Sequence, residues 1–359
     1  MSNIFLNVAI IGCGRVANHY RRILLSKEVT GFKIVGVCDL ISEKAEEFAN
    51  DFMCKAYVSY IEMLESIKPD LLIIATPSGL HYEHAKTALN KGVHVLVEKP
   101  MTMIPSQAHE LVLLAQKRNL MYAVTFQNRL NPAIKILAKA INENRFGKIV
   151  TSTIRLRWCR YQDYYNDGWH GTWENDGGVI NQQAIHHVDM INWLMGPIES
   201  VCSASSNRLN KLEAEDTMVA IIKFQNGALG TIEATTAARP QDFEASISII
   251  GEKGSVVIGG IALNKIETWK FIEHFPEDEN VIDQYSQEVP TGYGLSHKEI
   301  LQNAFDALLN GSILADVSGS KALSTTELIH ALYKSEEVNG WVHLKDLPIS
   351  SRLGNKIKI

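Results

Sequence analysis

Cysteine is scarce and scattered. Cys13, Cys38, Cys54, Cys159 and Cys202 are all there are in 359 residues, an odd number with no CxxC pair. That argues against a disulfide framework or a zinc site and suits a reduced cytoplasm. Long apolar runs are missing as well. The longest, such as residues 71–75, fall far short of the roughly 20 residues a membrane-spanning helix needs. Positive charge is in deficit, with 35 Lys and Arg against 40 Asp and Glu and a net charge of −5. The chain therefore offers no basic footprint for nucleic acid or an anionic membrane. The N-terminus has no basic n-region and no cleavage site, so no signal peptide is expected. Neither an internal repeat nor a low-complexity segment is present. What remains is an ordinary globular balance, 46% hydrophobic and 21% charged. The length exceeds what one core usually organises. The composition predicts a cytoplasmic protein of two domains.

The first third alternates apolar strands with amphipathic helices. Strands are predicted at 5–11, 32–38, 70–75, 93–97 and 121–126, and helices at 17–26, 42–52, 81–91 and 106–118. Near-continuous apolar strands separated by helices imply a parallel sheet covered on both faces. The rhythm changes after about residue 122. A helix is expected at 132–142, a half-buried strand at 150–157, a polar aromatic loop at 158–175 and one continuous helix at 181–194. Strands follow at 200–206, 217–224, 229–237, 244–250 and 255–258, joined by turn signals such as Asn226-Gly227, which reads as an antiparallel meander. An acidic stretch at 273–290 reads as irregular surface loop, and helices at 298–310 and 319–339 close the chain. The predicted fold class is α/β: a Rossmann domain at 1–122, then an α+β domain at 123–359 with a large, open, mainly antiparallel sheet.

Gly12-Cys13-Gly14-Arg15-Val16-Ala17 fits G-x-G-x-x-A at a strand-to-helix junction. Gly12 permits the tight turn, Gly14 lets the backbone approach a pyrophosphate, and Ala17 allows close helix–strand packing. Glycines alone can mark an ordinary turn. Here strand, helix and an acid fall in register, with Asp39 at the end of the second strand, 25 positions beyond Gly14. An aspartate there accepts from a free 2′-hydroxyl and repels a 2′-phosphate, which favours NAD over NADP.

The fourth strand delivers Glu98-Lys99-Pro100. Ligands bind outside the carboxyl ends of parallel strands, so Lys99 is either a solvated surface lysine or a donor to a substrate oxygen. Gln182 and His186, four apart on a predicted helix, share one face, and Asp189 could orient the His186 imidazole from the next turn. An oriented histidine is the usual base for taking a proton from an alcohol. His187 points elsewhere and reads as structural. Neither the His186/His187 pair nor His81 and His84 has HxxxH spacing, so no metal is expected. Arg129, Arg155, Arg157 and Arg160 cluster near the start of the second domain, beside Tyr161, Tyr164 and Tyr165. They suit either a diphosphate and a sugar face or, more simply, the wet face of a strand and ordinary packing.

Together these motifs resemble the Gfo/Idh/MocA oxidoreductases. The matching residues are Gly12-x-Gly14-x-x-Ala17, Asp39, Thr76-Pro77-Ser78 with His81, Glu98-Lys99-Pro100, and Gly177-Gly178 leading to His186-x-x-Asp189. The resemblance runs from end to end. It implies catalytic roles for Lys99 and His186, and NAD bound by Gly12, Gly14, Arg15, Val16, Ala17, Asp39, Thr76, Pro77, His81, Glu98 and Lys99. It further implies substrate contacts from Lys99, Gln127, Arg129, Arg160, Tyr164, Tyr165, Asn181, Gln182 and His186. Many members carry Asp four residues before the catalytic histidine; this chain carries Gln182. Asn181-Gln182, Trp169-x-Gly171-Thr172-Trp173, Gly259-Gly260-x-Ala262-x-Asn264-Lys265-Ile266 and Tyr293-Gly294 before His297 look like the nucleotide-sugar branch. That branch contains the UDP-N-acetylglucosaminuronate 3-dehydrogenases of surface-polysaccharide, including lipopolysaccharide, biosynthesis. The resemblance therefore implies oxidation at C3 of a nucleotide-linked amino sugar, by a homodimer or homotetramer joined through the C-terminal sheet. An inositol or free-sugar dehydrogenase, or a non-catalytic NAD-binding regulator, are the alternatives.

Overall fold

The computed structural model describes residues 5–356. Two compact units divide the chain: Met1–Thr125 with His297–Leu323, and Phe126–Ser296 with Ser324–Ile359. The first unit runs β1 (Leu6–Ile11), α1 (Arg15–Leu25), β2 (Phe32–Cys38), α2 (Ser42–Phe52), β3 (Lys55–Tyr57), α3 (Tyr60–Ile67), β4 (Leu71–Ile74), α4 (His81–Asn90), β5 (His94–Val97), α5 (Pro105–Arg118) and β6 (Tyr122–Val124). Its sheet has the order β3-β2-β1-β4-β5-β6, with every pair parallel. Strands such as β4, buried at all four residues, need cover on both faces. Helices supply it through stripes such as Ala17, Tyr20 and Leu24 on α1 and Ala45, Phe48 and Ala49 on α2. The order reverses between β1 and β4, so the loops after these strands, bearing Gly12 and Thr76, diverge at the switch point where such sheets bind ligands.

The sequence reading passes over β3 and α3. A three-residue strand is too short to show alternation, whereas α3 is announced by Ser59, whose hydroxyl accepts from the Glu62 amide (3.4 Å) at the helix start.

The second unit begins with α6 (Pro132–Asn142) and β7 (Ile149–Arg157), then α7 (Val179–Gln182) and α8 (Ile185–Met195). The predicted single helix at 181–194 is thus two. Next come β8 (Ile198–Ser206), β9 (Thr217–Phe224), β10 (Leu229–Thr235), β11 (Glu244–Gly251), β12 (Gly254–Gly259) and β13 (Lys265–Phe271). The predicted loop at 273–290 holds a 3₁₀ turn at Pro276–Asn280 and a short helix, α9 (Val281–Tyr285). Clean alternation, as in β9, where Met218, Ala220, Ile222 and Phe224 are buried, leaves one face of the sheet for the core.

The chain then returns to the first unit with α10 (His297–Leu309) and the start of α11 (Gly319–Val338); the rest of α11, from Ser324, and β14 (Val342–His343) belong to the second. The eight-stranded sheet has the order β13-β12-β11-β7-β10-β9-β8-β14 and is antiparallel except for the β7/β10 pair. A division at residue 122 therefore misplaces α10. Its Leu301, Ala304 and Phe305 are fully buried in the same core as Val8, Ile10 and Tyr20, so the first unit is completed by a segment about 170 residues downstream.

Candidate active site

In the first unit the G-x-G-x-x-A segment turns from β1 into α1. Gly12 has φ +89°, and a Cβ there would sit 2.6 Å from the Ala75 carbonyl oxygen, so only glycine fits. Gly14 differs: a Cβ on it would meet nothing within 4 Å, which leaves open space over the first turn of the helix. Arg15 and Val16 begin that turn and Ala17 is fully buried beneath it. Asp39 reaches back across the loop, its Oδ2 accepting from the Cys13 amide (2.8 Å) and its Oδ1 from the Ile41 amide (2.9 Å). The carboxylate is thereby held beside the glycine turn. An open helix N-terminus flanked by a fixed carboxylate fits a dinucleotide with a free 2′-hydroxyl. Burial pushes the neighbouring Cys13 thiol up to about 12, so it is no nucleophile.

Thr76 and Pro77 follow β4. The His81 ring lies between the Pro100 carbonyl (Nδ1, 2.7 Å) and the Thr76 carbonyl (Nε2, 2.9 Å) and is 1% exposed. Burial pushes this imidazole down to about 4, against the pull of the two carbonyls that its nitrogens face, and the ring ties the loop after β4 to the loop after β5. Glu98 is buried below Lys99. It accepts from the Tyr20 hydroxyl and the Lys99 amide (3.2 Å), and burial raises its pKa. Lys99 itself is half-buried at the strand end.

In the second unit Gly177-Gly178 leads into α7. A Cβ on Gly178 would run into the Glu215 backbone oxygen, so the chain crosses there only with glycine. Glu215 caps the helix start: its Oε1 accepts from the Ile180 amide (3.1 Å) and the Tyr333 hydroxyl (3.0 Å). Burial pushes its carboxyl up to about 7. α7 carries Asn181 and Gln182, both buried, and after a break α8 presents His186, which is half-buried where the residues on either side are buried. The His186 ring stands edge-on to Phe126 and its Nε2 lies 3.5 Å from the Gln127 side chain. Gln182 and His186 therefore do not share one helix face.

Several sequence expectations need correcting. Asp189 does not orient His186; it is fully buried and takes two bonds from Arg129 (2.8 and 2.6 Å) and one from Thr325 (2.8 Å). Arg129, 5% exposed, is the buried ion-pair partner of Asp189. The arginine cluster disperses. Arg157 pairs with Glu233 and Glu244 across the sheet and Arg155 lies near the same carboxylates, while Arg160 binds Asp242 (2.9 Å). Tyr165 is buried with its hydroxyl on Thr236 (2.8 Å), so it packs rather than faces a ligand. Tyr164 packs on His170, and its hydroxyl accepts from Gln183 (3.3 Å). His187 is buried, with neither ring nitrogen hydrogen-bonded, and burial pushes it down to about 3.

One carboxylate escaped the sequence reading. Asp176, 1% exposed, accepts from the Gly171 amide (2.7 Å) and from the Gln182 side-chain nitrogen, while its backbone oxygen accepts from Asn181 Nδ2 (2.6 Å). Its position directly before the glycine pair was the available signal. Among the described residues no group of three or more His, Cys, Asp or Glu could hold a metal, and no helix is long and apolar enough to cross a membrane.

Comparison with known proteins agrees with this geometry. The NAD-binding Rossmann domain of the GFO/IDH/MocA oxidoreductase family matches residues 6–126, and that family's C-terminal domain matches residues 134–257. The WlbA dehydrogenase of Bordetella pertussis, solved with NADH and UDP-GlcNAcA, is similar at 33% identity and TM-score 0.90, over 96% of this chain and 99% of that one. The WlbA enzyme of Chromobacterium violaceum, solved with the same two ligands, gives 33% identity and TM-score 0.88 over 96% and 97%. An uncharacterised oxidoreductase of Synechocystis sp. is 32% identical over 60% of this chain and 62% of its own length, so the match spans somewhat less than two thirds of that relative.

Proposed function

The chain belongs to the GFO/IDH/MocA family of NAD-dependent oxidoreductases, and on that premise we propose that it oxidises C3 of a nucleotide-activated amino sugar, UDP-N-acetylglucosaminuronate, to the 3-keto sugar. The observation that carries this reading is the likeness across both units to two dehydrogenases solved with NADH and that same sugar nucleotide. Bound NAD supplies the hydride acceptor. The Gly12–Ala17 turn and Asp39 hold it. His186, the half-buried histidine of α8, takes the proton of the sugar hydroxyl, and Gln127 beside it helps to hold the ring. Lys99, set above buried Glu98, is the cation that polarises the substrate oxygen. Asn181 and Gln182 recognise the sugar, with Tyr164 and Arg160 on the neighbouring loop as further candidates.

The reaction is assigned to the cytoplasm, as a step of surface-polysaccharide biosynthesis. The exposed face of the eight-stranded sheet, with Val219 at 51%, Ile221 at 47% and Leu229 at 52%, is read as the contact between two copies of the chain. Replacing Ile221 by Asp is expected to halve the mass measured by analytical ultracentrifugation; an unchanged mass removes this face from the interface.

The test of the activity is NAD reduction at the nicotinamide absorbance band, with UDP-N-acetylglucosaminuronate and UDP-N-acetylglucosamine offered in turn. Oxidation of the uronate is expected, with His186→Asn and Lys99→Ala each lowering kcat by about 10²–10⁴-fold while NAD still binds. Both variants turning over as the parent does would remove these residues from the chemistry.

A further inference from the structure

Residues 350–355, beyond β14, lie between α11 and the turn that leads into α7, and they touch both. We propose that Arg352 and Leu353 are positioning residues that clamp Trp173 and the Gly177-Gly178 turn, and through that turn set the place of Asn181 and Gln182 and the affinity for the sugar. The inference rests on the sugar-binding role proposed for those two amides.

The segment is fastened first to α11. The Glu337 carboxylate accepts from the Ser350 hydroxyl (2.6 Å) and the Ser351 amide (3.0 Å), and Arg352 pairs with Glu336. From that anchor it reaches the loop on its other side. The Gly354 amide donates to the Trp173 carbonyl (2.8 Å), and the Arg352 guanidinium stands 4.6 Å over the Trp173 ring. Leu353, 1% exposed, packs on Gly177, where a Cβ would lie 2.8 Å from Leu353 Cδ1. Trp173 is itself buried and stands edge-on to Tyr333 (5.1 Å), whose hydroxyl accepts from the Gly178 amide (3.1 Å). The Thr172 carbonyl, one residue before Trp173, accepts from the Gly177 amide (2.8 Å). Both amides of the glycine pair are therefore held by groups that bear on Trp173, and Trp173 is held by the segment. α7 starts directly from this turn, so a loosened turn displaces Asn181 and Gln182 together. A partly exposed ion pair such as Arg352–Glu336 contributes little on its own. What Arg352 adds is a planar cation fixed over an indole, a geometry that lysine reproduces poorly.

With NAD and UDP-N-acetylglucosaminuronate, Arg352→Ala and Leu353→Ala are each expected to raise the sugar KM about 10-fold, with kcat within about threefold of the parent and NAD affinity unchanged. Arg352→Lys keeps the charge beside Glu336 but loses the stack on Trp173, and its KM should fall between those of the parent and R352A. Arg145→Met separates positioning from stability. It breaks another buried ion pair of the same unit, with Asp278 (2.7 Å), and should lower the urea midpoint while leaving the sugar KM at the parental value. Amide hydrogen exchange read by mass spectrometry needs no substrate: peptides covering 172–182 should exchange about 10-fold faster in R352A and L353A, and at the parental rate in R145M. Unchanged exchange, faster exchange with an unchanged sugar KM, or an R145M variant whose KM rises as that of R352A does, overturns the proposal. Should R352A fail to fold, R352K and L353A decide by the same readouts. If the parent leaves the uronate unoxidised, the substrate assignment falls, and the clamp on the α7 turn stands or falls on the exchange alone.

Discussion

Arg129 separates a structural from a substrate-binding role by a measurable amount. Its guanidinium makes two bonds to Asp189 (2.8 and 2.6 Å), with Arg129 5% and Asp189 0% exposed. Arg129→Met leaves the carboxylate in the core with the Thr325 hydroxyl still donating to it. Removing one partner of a buried ion pair strands the other charge and costs about 3–5 kcal/mol. Thr325→Val removes one bond to a charged acceptor and should cost about 1.5–3 kcal/mol. Replacing both members, Arg129→Met with Asp189→Leu, should recover most of the loss, since no charge is then stranded. All six tryptophans (Trp158, Trp169, Trp173, Trp193, Trp269 and Trp341) lie in the second unit, and Trp193 is itself under the Arg129 guanidinium at 5.2 Å. Urea unfolding followed by tryptophan fluorescence therefore reports the unit in question. An R129M variant that unfolds at the parental urea concentration but shows a KM for the sugar raised manyfold would refute the structural assignment.

Two further outcomes follow from single carboxylates. Asp39→Ala removes the charge and the acceptors for the Cys13 and Ile41 amides; it should weaken NAD binding about 10-fold or more and narrow the preference over NADP, both read by calorimetry. Glu215 titrates near 7 in the folded unit against an ordinary 4.5, because burial penalises its charge. Between those values the folded chain holds a proton that the unfolded chain has released, so stability contributed by this group falls as pH rises from about 4.5 to 7, by up to about 3 kcal/mol. Glu215→Gln should flatten that decline between pH 5 and pH 8 in urea titrations; identical pH dependence in both proteins would count against the assignment.

Much of the architecture is written locally. The apolar runs of β1, β2, β4 and β5 and the glycine turn at Gly12 declare a parallel sheet and its binding edge, because burial on both faces and positive φ leave marks in any short window. What escaped depends on distant partners. The break between Gln182 and Ile185 carries no proline or glycine; α7 begins as it does because Glu215, some 35 residues on, accepts the Ile180 amide. The parallel pairing of β7 with β10 and the return of α10 to the first core join segments that no local pattern relates. The side-chain roles divide in the same way. Lys99 and His186 follow from motif position, but whether Arg129 meets a ligand or Asp189 is decided only by folding, and Asp176 gains its place from the two amides it faces. β13 also escaped, because Lys265–Phe271 does not alternate: its apolar residues fall at 266, 269 and 271.

The central claim is a hydride taken from C3 of a nucleotide-linked amino sugar. UDP-N-acetylglucosaminuronate deuterated at C3 tests it most directly, with the cofactor and the sugar both read by mass spectrometry after incubation with the protein and NAD. The account predicts deuterium in the reduced cofactor and a sugar lighter by one hydrogen and one deuterium. Reduced cofactor without deuterium would place the chemistry at another carbon, and no oxidation of the sugar despite demonstrated NAD binding would contradict the assigned substrate.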